Sequence, residues 1–591
     1  MPSNTALLTT AARVKDAQRL LSRIQDDTSE HLFVTAGGII PWNNDSIPPT
    51  PVESIQETYL AFDSLLFGKK VEPQDATLMV PYIPWTAGVV YPAYSDQIPS
   101  SNCYVVCSEG TNYNVFKCLN NNNLSPSSTQ PLLSQTSDHD AYYMTSDGYH
   151  WKFLYSIPGA TYTKFATANW VPCIPNANVS SNAANGSIES IDITIAGLSY
   201  NSYTNGYFST VAYGGNTLIH SLSLNASSNP NFYVNTSVYI TSGTGAGQLR
   251  TIKAYSVSGN NKLITIDSAF SPEPDGTSIY EIDPQVVIVG DGSGAYARGL
   301  VNTSVNAGNS IYAIQVISGG SNYSYANCSI LGVVASNGAG LTVANTAFGV
   351  AHIAPFGGHG SDVPTEIGAT AVGISVTFAN TEGGTIPANN SYRTVSLLEN
   401  PLYTNTTVTY SSFTSSNTFV TQFALGEVIT GGTSNAIGTV AVAAYTAMTL
   451  TGVSKIFLSG EKLLGSSGAN ATSNTISGPS YTVDARTRLT LSLATGTFTL
   501  NEQVVLSGTS NSIYGYVHYA NTSVAHLSSC KGTMVVGSTL TGVTSGVTAK
   551  IASIVPSDIL KYKGRFVYNE NISPVSRSSS QSETIRIVKG Y

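Results

Sequence analysis

Phe423-Ala424-Leu425-Gly426-Glu427-Val428-Ile429-Thr430-Gly431-Gly432-Thr433-Ser434-Asn435-Ala436-Ile437-Gly438 returns, with little change, as Phe498-Thr499-Leu500-Asn501-Glu502-Gln503-Val504-Val505-Leu506-Ser507-Gly508-Thr509-Ser510-Asn511-Ser512-Ile513-Tyr514-Gly515. Weaker copies begin near Phe457 and Met534. In each copy a short apolar run enters a turn of Gly, Thr, Ser and Asn and leaves as a second apolar run, the pattern of a β-hairpin. A single unit has an apolar face that only neighbouring copies can cover. Stacked repeats between 403 and 554 therefore predict a small barrel or sandwich.

Composition extends that reading to the whole chain. Only 10% of the 591 residues are charged, against a usual share near ~25%. Ser, Thr, Asn, Tyr and Gly solubilise the surface instead, which suits pleated, half-solvated strands better than helices. The length allows about three to five modules, each able to bury a core. The expected fold class is mainly β with a few helices, an α+β core in a multi-domain chain.

A formal charge of −8, with no basic cluster longer than Lys69-Lys70, gives no electrostatic footprint for nucleic acid. Cys103, Cys107, Cys118, Cys173, Cys328 and Cys530 are too few and too dispersed to staple the chain, and reduced, partly buried thiols are expected. Cys103 and Cys107 on one strand would stand about 13 Å apart, too far for a disulfide. Cys103, Cys107 and Cys118 lack a metal knuckle. Met1 to Ala12 holds no leader-like segment, and no apolar run is long enough to span a membrane, so the chain is expected to be soluble and unexported. The sequons at Asn178, Asn185, Asn225, Asn235, Asn322, Asn405, Asn521 and Asn571 then arise from composition.

Two helices stand out. Residues 6–25 place Leu7, Ala11, Val14, Leu21 and Ile24 on one stripe. That helix either covers a sheet of its own subunit or is a partner-binding arm, for which Leu7, Val14, Leu21 and Ile24 are the candidate residues. Thr50, Pro51 and Glu53 form a capping-box pattern, and Gly68 supplies a stop, so a second helix with Val52, Ile55, Tyr59, Phe62 and Leu66 facing a core is predicted. Elsewhere strands dominate, for example Tyr104-Val105-Val106 and Asn114-Val115-Phe116-Lys117 across a Glu109–Asn112 turn. Ile193–Tyr200 and Ile314–Tyr323 form another related pair, each a strand ahead of a glycine turn and an aromatic.

Motifs for chemistry are sparse. Gly290-Asp291-Gly292-Ser293-Gly294-Ala295 continues into a strand rather than a helix, so it reads as a tight turn and not a phosphate loop. Asp138-His139-Asp140 with Asp147 and His150 is the densest titratable group, and its spacing matches no catalytic or metal signature. No Gly-x-Ser-x-Gly elbow or His-Glu-x-x-His helix occurs. No catalytic, metal or cofactor residue is assigned.

Outside the two β-rich stretches at 176–345 and 403–554, the remaining segments carry an ordered likeness. Phe33–Trp42, Pro48-Pro49 and the predicted second helix, Val80-Pro81 and Trp85–Tyr91 come first, then Tyr113–Asn121, Ser125-Pro126-Ser127 and Asp147–Tyr155. Pro355–Gly360, Glu366–Ala369, Glu382-Gly383-Gly384 and Tyr392-Arg393 follow, and Leu560–Gly564, Tyr568, Pro574-Val575, Arg577 and Gln581–Ile587 close the series. This set resembles the baseplate wedge subunit of T4-like contractile-tailed phages, the product of tail gene eight. The resemblance covers about 240 residues and implies a non-enzymatic structural protein of the virion tail baseplate, assembled in the host cytoplasm, a homodimer that contacts other wedge proteins. It implies a discontinuous scaffold of residues 29–175, 346–402 and 555–591 behind an N-terminal arm at 1–28, with β-barrel or β-sandwich modules inserted at 176–345 and 403–554. Trp42, Trp85, Trp151, Trp170 and Tyr562 are then candidate scaffold or seam residues. The insertions depart from the family in length. Their Asn-, Ser- and Tyr-rich surfaces carry the alternative, a receptor- or glycan-binding tail protein or, further off, a depolymerase.

Overall fold

The computed structural model describes residues 8–26, 31–97, 102–136, 142–200, 205–208, 213–304, 308–331, 346–380, 390–411, 423–444, 447–477, 482–508, 511–576, 578 and 580–591. Leu7, the Asp138-His139-Asp140 run, Glu382-Gly383-Gly384, Thr509-Ser510 and Arg577 lie outside them. The fold is mainly β with a few short helices, in several sheets. No helix of the described residues is long and apolar enough to cross a membrane. The chain divides into two compact units, one of Met1–Lys15, Leu78–Ala371 and Tyr591, the other of Asp16–Thr77 and Val372–Gly590.

In the first unit, strands Tyr104–Glu109, Asn112–Asn120, His150–Ile157 and Tyr143–Met144 form a four-stranded antiparallel sheet in that spatial order. The predicted hairpin is there, with Glu109 opposite Asn112 and Gly110 at φ +63° in the two-residue turn. Residues 188–353 build an eleven-stranded sheet whose outermost strand, Ile188–Ile195, pairs with Ala347–Ile353, so both ends of this β-rich stretch meet in one ladder. It carries two cores, one around Ile191, Ile314 and Ile330 and another around Val238, Ile252 and Ile264. The related pair at 193–200 and 314–323 is structural. Gly197 and Gly320 both turn at positive φ, as do Ser199 and Asn322, and Tyr200 and Tyr323 bury in the same core. The Gly290–Ala295 segment is the expected turn, between strands Ile279–Gly290 and Ser293–Asn302. Asp291 fastens it by accepting from the Ser324 and Tyr325 amides at 2.9 and 3.3 Å.

The second unit centres on a five-stranded sheet in the order Thr482–Asp484, Leu65–Lys70, Leu32–Gly37, Ser391–Glu399, Arg565–Ser576. Strands far apart in sequence are immediate neighbours here: Val34 faces Leu397, and Leu397 faces Tyr568. The repeat region closes into two six-stranded antiparallel barrels, one spanning Thr406–Ser477 and the other Thr487–Val555. The second barrel has its own core of Leu489, Val504, Val517, Leu527 and Leu540. The core of the first barrel runs on into Phe33 and Leu398 of the central sheet, with Phe62 of the helix Ile55–Ser64 and Tyr403.

The repeats are tied together by glutamates. Glu461 accepts from the amides of Thr433, Ser434 and Leu458 at 3.0, 2.9 and 2.6 Å and from the Ser434 hydroxyl at 2.9 Å. Glu427 returns the bond, accepting from the Ser467 and Ala424 amides at 2.8 Å each. Each copy's glutamate thus caps the other copy's turn. Glu502 does the same in the second barrel with Thr544 and Ser545. Glycines at Gly431 and Gly542 leave the room: a Cβ there would lie 2.7 Å from Glu461 Oε2 and 2.8 Å from Glu502 Oε2.

The second helix departs from its predicted frame. It runs Ile55–Ser64, capped by Ser54, whose hydroxyl accepts from the Glu57 amide at 3.1 Å, and Thr50 is not the cap. Thr50-Pro51-Val52-Glu53 and Ser54-Ile55-Gln56-Glu57 are consecutive capping-box patterns, and the later one is used. Gly68 lies inside the strand Leu65–Lys70, where a Cβ would crowd Thr35 Cγ2 at 2.9 Å, so it marks close strand packing rather than a helix stop. With the frame shifted, Phe62 and Leu66 are buried, while Val52, Ile55 and Tyr59 face outward.

Candidate functional site

Sequence-selected residues are placed as follows. On the helix Thr10–Gln25, Val14 and Ile24 are buried together with Ala17 and Leu20, Leu21 is half-buried, and Ala11 is exposed. Trp151 is fully buried, stacked on Tyr149 at 5.2 Å, and its indole donates to Thr145 Oγ1 at 3.3 Å. Trp85 and Trp42 are half-buried and donate to Ser127 Oγ at 3.0 Å and to the Ile572 carbonyl at 3.2 Å. Trp170 is half-buried at the start of strand Trp170–Pro172. All six cysteines are thiols, and five are buried.

The described part of the titratable loop is structural. Asp147 accepts from Ser127 Oγ, the Ser128, Thr129 and Tyr149 amides and Thr145 Oγ1, at 2.5 to 3.3 Å. Burial would raise its carboxyl, and these hydrogen bonds outweigh burial and hold it low. His150 stacks on Tyr142 at 4.6 Å, and burial pushes its imidazole down to about 4, so it stays neutral.

The densest charge cluster is one that spacing does not reveal. Lys117 Nζ, fully buried, lies 2.8 Å from Glu189 Oε2 and 2.8 Å from Glu366 Oε1, with the Tyr94 ring 3.5 Å away. Lys152 Nζ reaches Glu189 Oε1 at 3.0 Å. His359 faces Glu366 through Nδ1 at 3.1 Å and the Phe153 carbonyl through Nε2 at 2.8 Å. Burial alone would raise both carboxyls, yet the surrounding cations hold Glu189 and Glu366 well below the usual range. Glu189, His359 and Glu366 have the donor types and proximity for a divalent ion. Lys117 already supplies the cation, so the cluster is a buried ionic lock.

One open concavity in the second unit is a groove of about 520 Å³ beside the helix Ile55–Ser64. Trp42, Val52, Leu60, Tyr514, Tyr516 and Lys531 line it. Its volume is that of a ligand or peptide cleft. At its base, buried Asp63 is shared by Lys531, Lys561 and the Tyr562 hydroxyl, the last at 2.7 Å. Tyr562 has φ +62° and packs edge-on against Tyr59 at 5.0 Å, so its hydroxyl bond and ring contacts hold a left-handed backbone. Beside the groove Ile47, Val52, Ile55, Tyr59 and Leu60 are exposed, Ile55 at 78%. This apolar outer face is an exposed hydrophobic patch of the kind that contacts other chains. Nothing in its spacing marked it, because Val52, Ile55 and Tyr59 read as a buried stripe.

No protein-family model and no curated protein matches this chain.

Proposed function

We propose that the protein is a structural subunit of a phage tail baseplate wedge, acting by assembly with itself and with other wedge proteins. The observation carrying this reading is the central sheet of the second unit, which draws neighbouring strands from residues 32–37, 391–399 and 565–576. Those strands come from the three separated blocks of the T4-type resemblance, in the family order. The chemistry is consistent. The buried acids described above are locked by cations or backbone amides, and the outer face of the helix Ile55–Ser64 exposes Ile55, Tyr59 and Leu60. Low charge suits broad seams, because an ion desolvated without a partner costs several kcal/mol. A stable seam buries on the order of 1,200 Å² or more, and the outer face of the helix Ile55–Ser64 is the part of that seam we assign.

The test is co-purification of the full chain with the tail proteins encoded beside it, with mass measured by light scattering. A dimer that captures at least one of them supports the reading. A monomer that captures none counts against it.

A further inference from the structure

The five-stranded sheet leads into the second barrel through Thr482–Asp484 and the strand Thr487–Ser492. At this joint Arg488 lies opposite His526, and the next strand places Tyr519 opposite His526 and Tyr516 opposite Ser528, with His518 in the irregularity between Val517 and Tyr519. His518 is 1% exposed. Arg486 Nη1 lies 3.2 Å from His518 Nδ1. A guanidinium has only hydrogens to offer, so Nδ1 must present its lone pair and the ring must be neutral. The nearby carboxylates are already committed. Asp484 takes Arg486 Nε and Nη2 at 2.8 and 2.7 Å, and Asp558 takes Arg488 Nη2 at 2.6 Å. Asn390 faces the same residue but bonds the His518 carbonyl, at 2.9 Å. His518 Nε2 and His526 Nδ1 are buried and reach no protein partner among the described residues.

We propose that His518 and His526 form an acid-sensitive switch at this joint, whose protonation breaks the Arg486–His518 bond and loosens the second barrel from the sheet. A proton on Nδ1 turns an acceptor into a donor facing a donor, and it adds a cation beside Arg486. A proton on His526 adds another beside Arg488. Burial first, then the charges of Arg486 and His526, pushes the His518 imidazole down to about 3. Burial with Arg486 and Arg488 takes His526 to about 4. Both lie below the ordinary value of 6.5, so the unfolded joint binds protons that the folded joint refuses. The joint is fully stable above pH 6.5 and loses stability as the pH falls from there toward 4.

The experiment is hydrogen exchange by mass spectrometry on the full chain at pH 7 and pH 4.5, corrected for intrinsic pH dependence. Peptides covering 484–490 and 515–529 should exchange on the order of a hundredfold or more faster at pH 4.5, because a histidine of ordinary value 6.5 gains about two units of proton binding there that the folded joint refuses. Peptides from 428–443 in the first barrel, whose strands contain no histidine, should not change. His518→Asn with His526→Gln keeps neutral acceptors and should abolish the acid response. Unchanged wild-type protection at 484–490 and 515–529, or an equal acid response in the double variant, overturns the proposal. If the double variant fails to fold, the wild-type comparison between the two barrels decides.

Discussion

Glu461 accepts four hydrogen bonds with one carboxylate, three from backbone amides. Glu461→Ala leaves those part-buried amides unpaired, and we expect a loss of about 1–3 kcal/mol in denaturant unfolding of the first barrel, the range for one stranded group. Gly431→Ala should be comparably harmful, because its Cβ would occupy the carboxylate's place. Lys117 gives the second prediction at this scale. Lys117→Met removes the common partner of Glu189 and Glu366 and should cost roughly 3–5 kcal/mol, the range for breaking a buried ion pair, read by urea titration at pH 7. Burial opposes ionisation of Glu366, and Lys117 and His359 overcome it, holding the carboxyl down to about 2 against an ordinary 4.5. The stability from this depressed acid is therefore full above pH 4.5 and lost as pH falls toward 2. The glutamates were visible in the sequence as Phe-x-x-x-Glu at Phe423, Phe457 and Phe498. Their role was not, because each acceptor's turn belongs to the other copy. The ionic lock was less visible still, since Lys117 and Glu366 are 249 residues apart.

The helix Ile55–Ser64 shows where element-level reading fails. Two consecutive capping patterns compete, and sequence alone offers no term that separates them by four residues. The later start leaves Val52 ahead of the helix and puts Leu66 in the following strand, and although Ile55, Tyr59 and Phe62 still share one face, only Phe62 reaches the core. Ser54→Ala should cost about 1 kcal/mol, whereas Thr50→Ala should change nothing measurable; paired thermal melts check both. Ile55→Asp and Leu60→Asp should leave the melting temperature unchanged and weaken self-association or partner capture at least tenfold, measured by sedimentation. Where the signal was redundant, the elements were legible: the turn at Gly110, the turn at Gly290–Gly294, and the paired Tyr200 and Tyr323 each combine alternation with a glycine and a buried ring.

Over the whole molecule the strand content and the repeat hairpins were readable, because neutral composition and period-two alternation are local properties. Closure into two separate six-stranded barrels was not, since it depends on strands that pair across 58 to 70 residues. The continuity of the first barrel's core with Phe33, Phe62 and Leu398 was equally hidden. It makes the barrel part of the central sheet's stability, so core truncations at Leu450 and Leu398 should be non-additive in a double-mutant cycle. The proposal that the protein is a wedge subunit built for assembly meets its sharpest check in a cryo-EM reconstruction of the tail particle made by the source that encodes it. It predicts copies of the chain in a ring around the tail hub, with the outer face of Ile55–Ser64 covered by another protein chain. Finding the chain absent from the particle, or present only at fibre tips with that face bare, would contradict it.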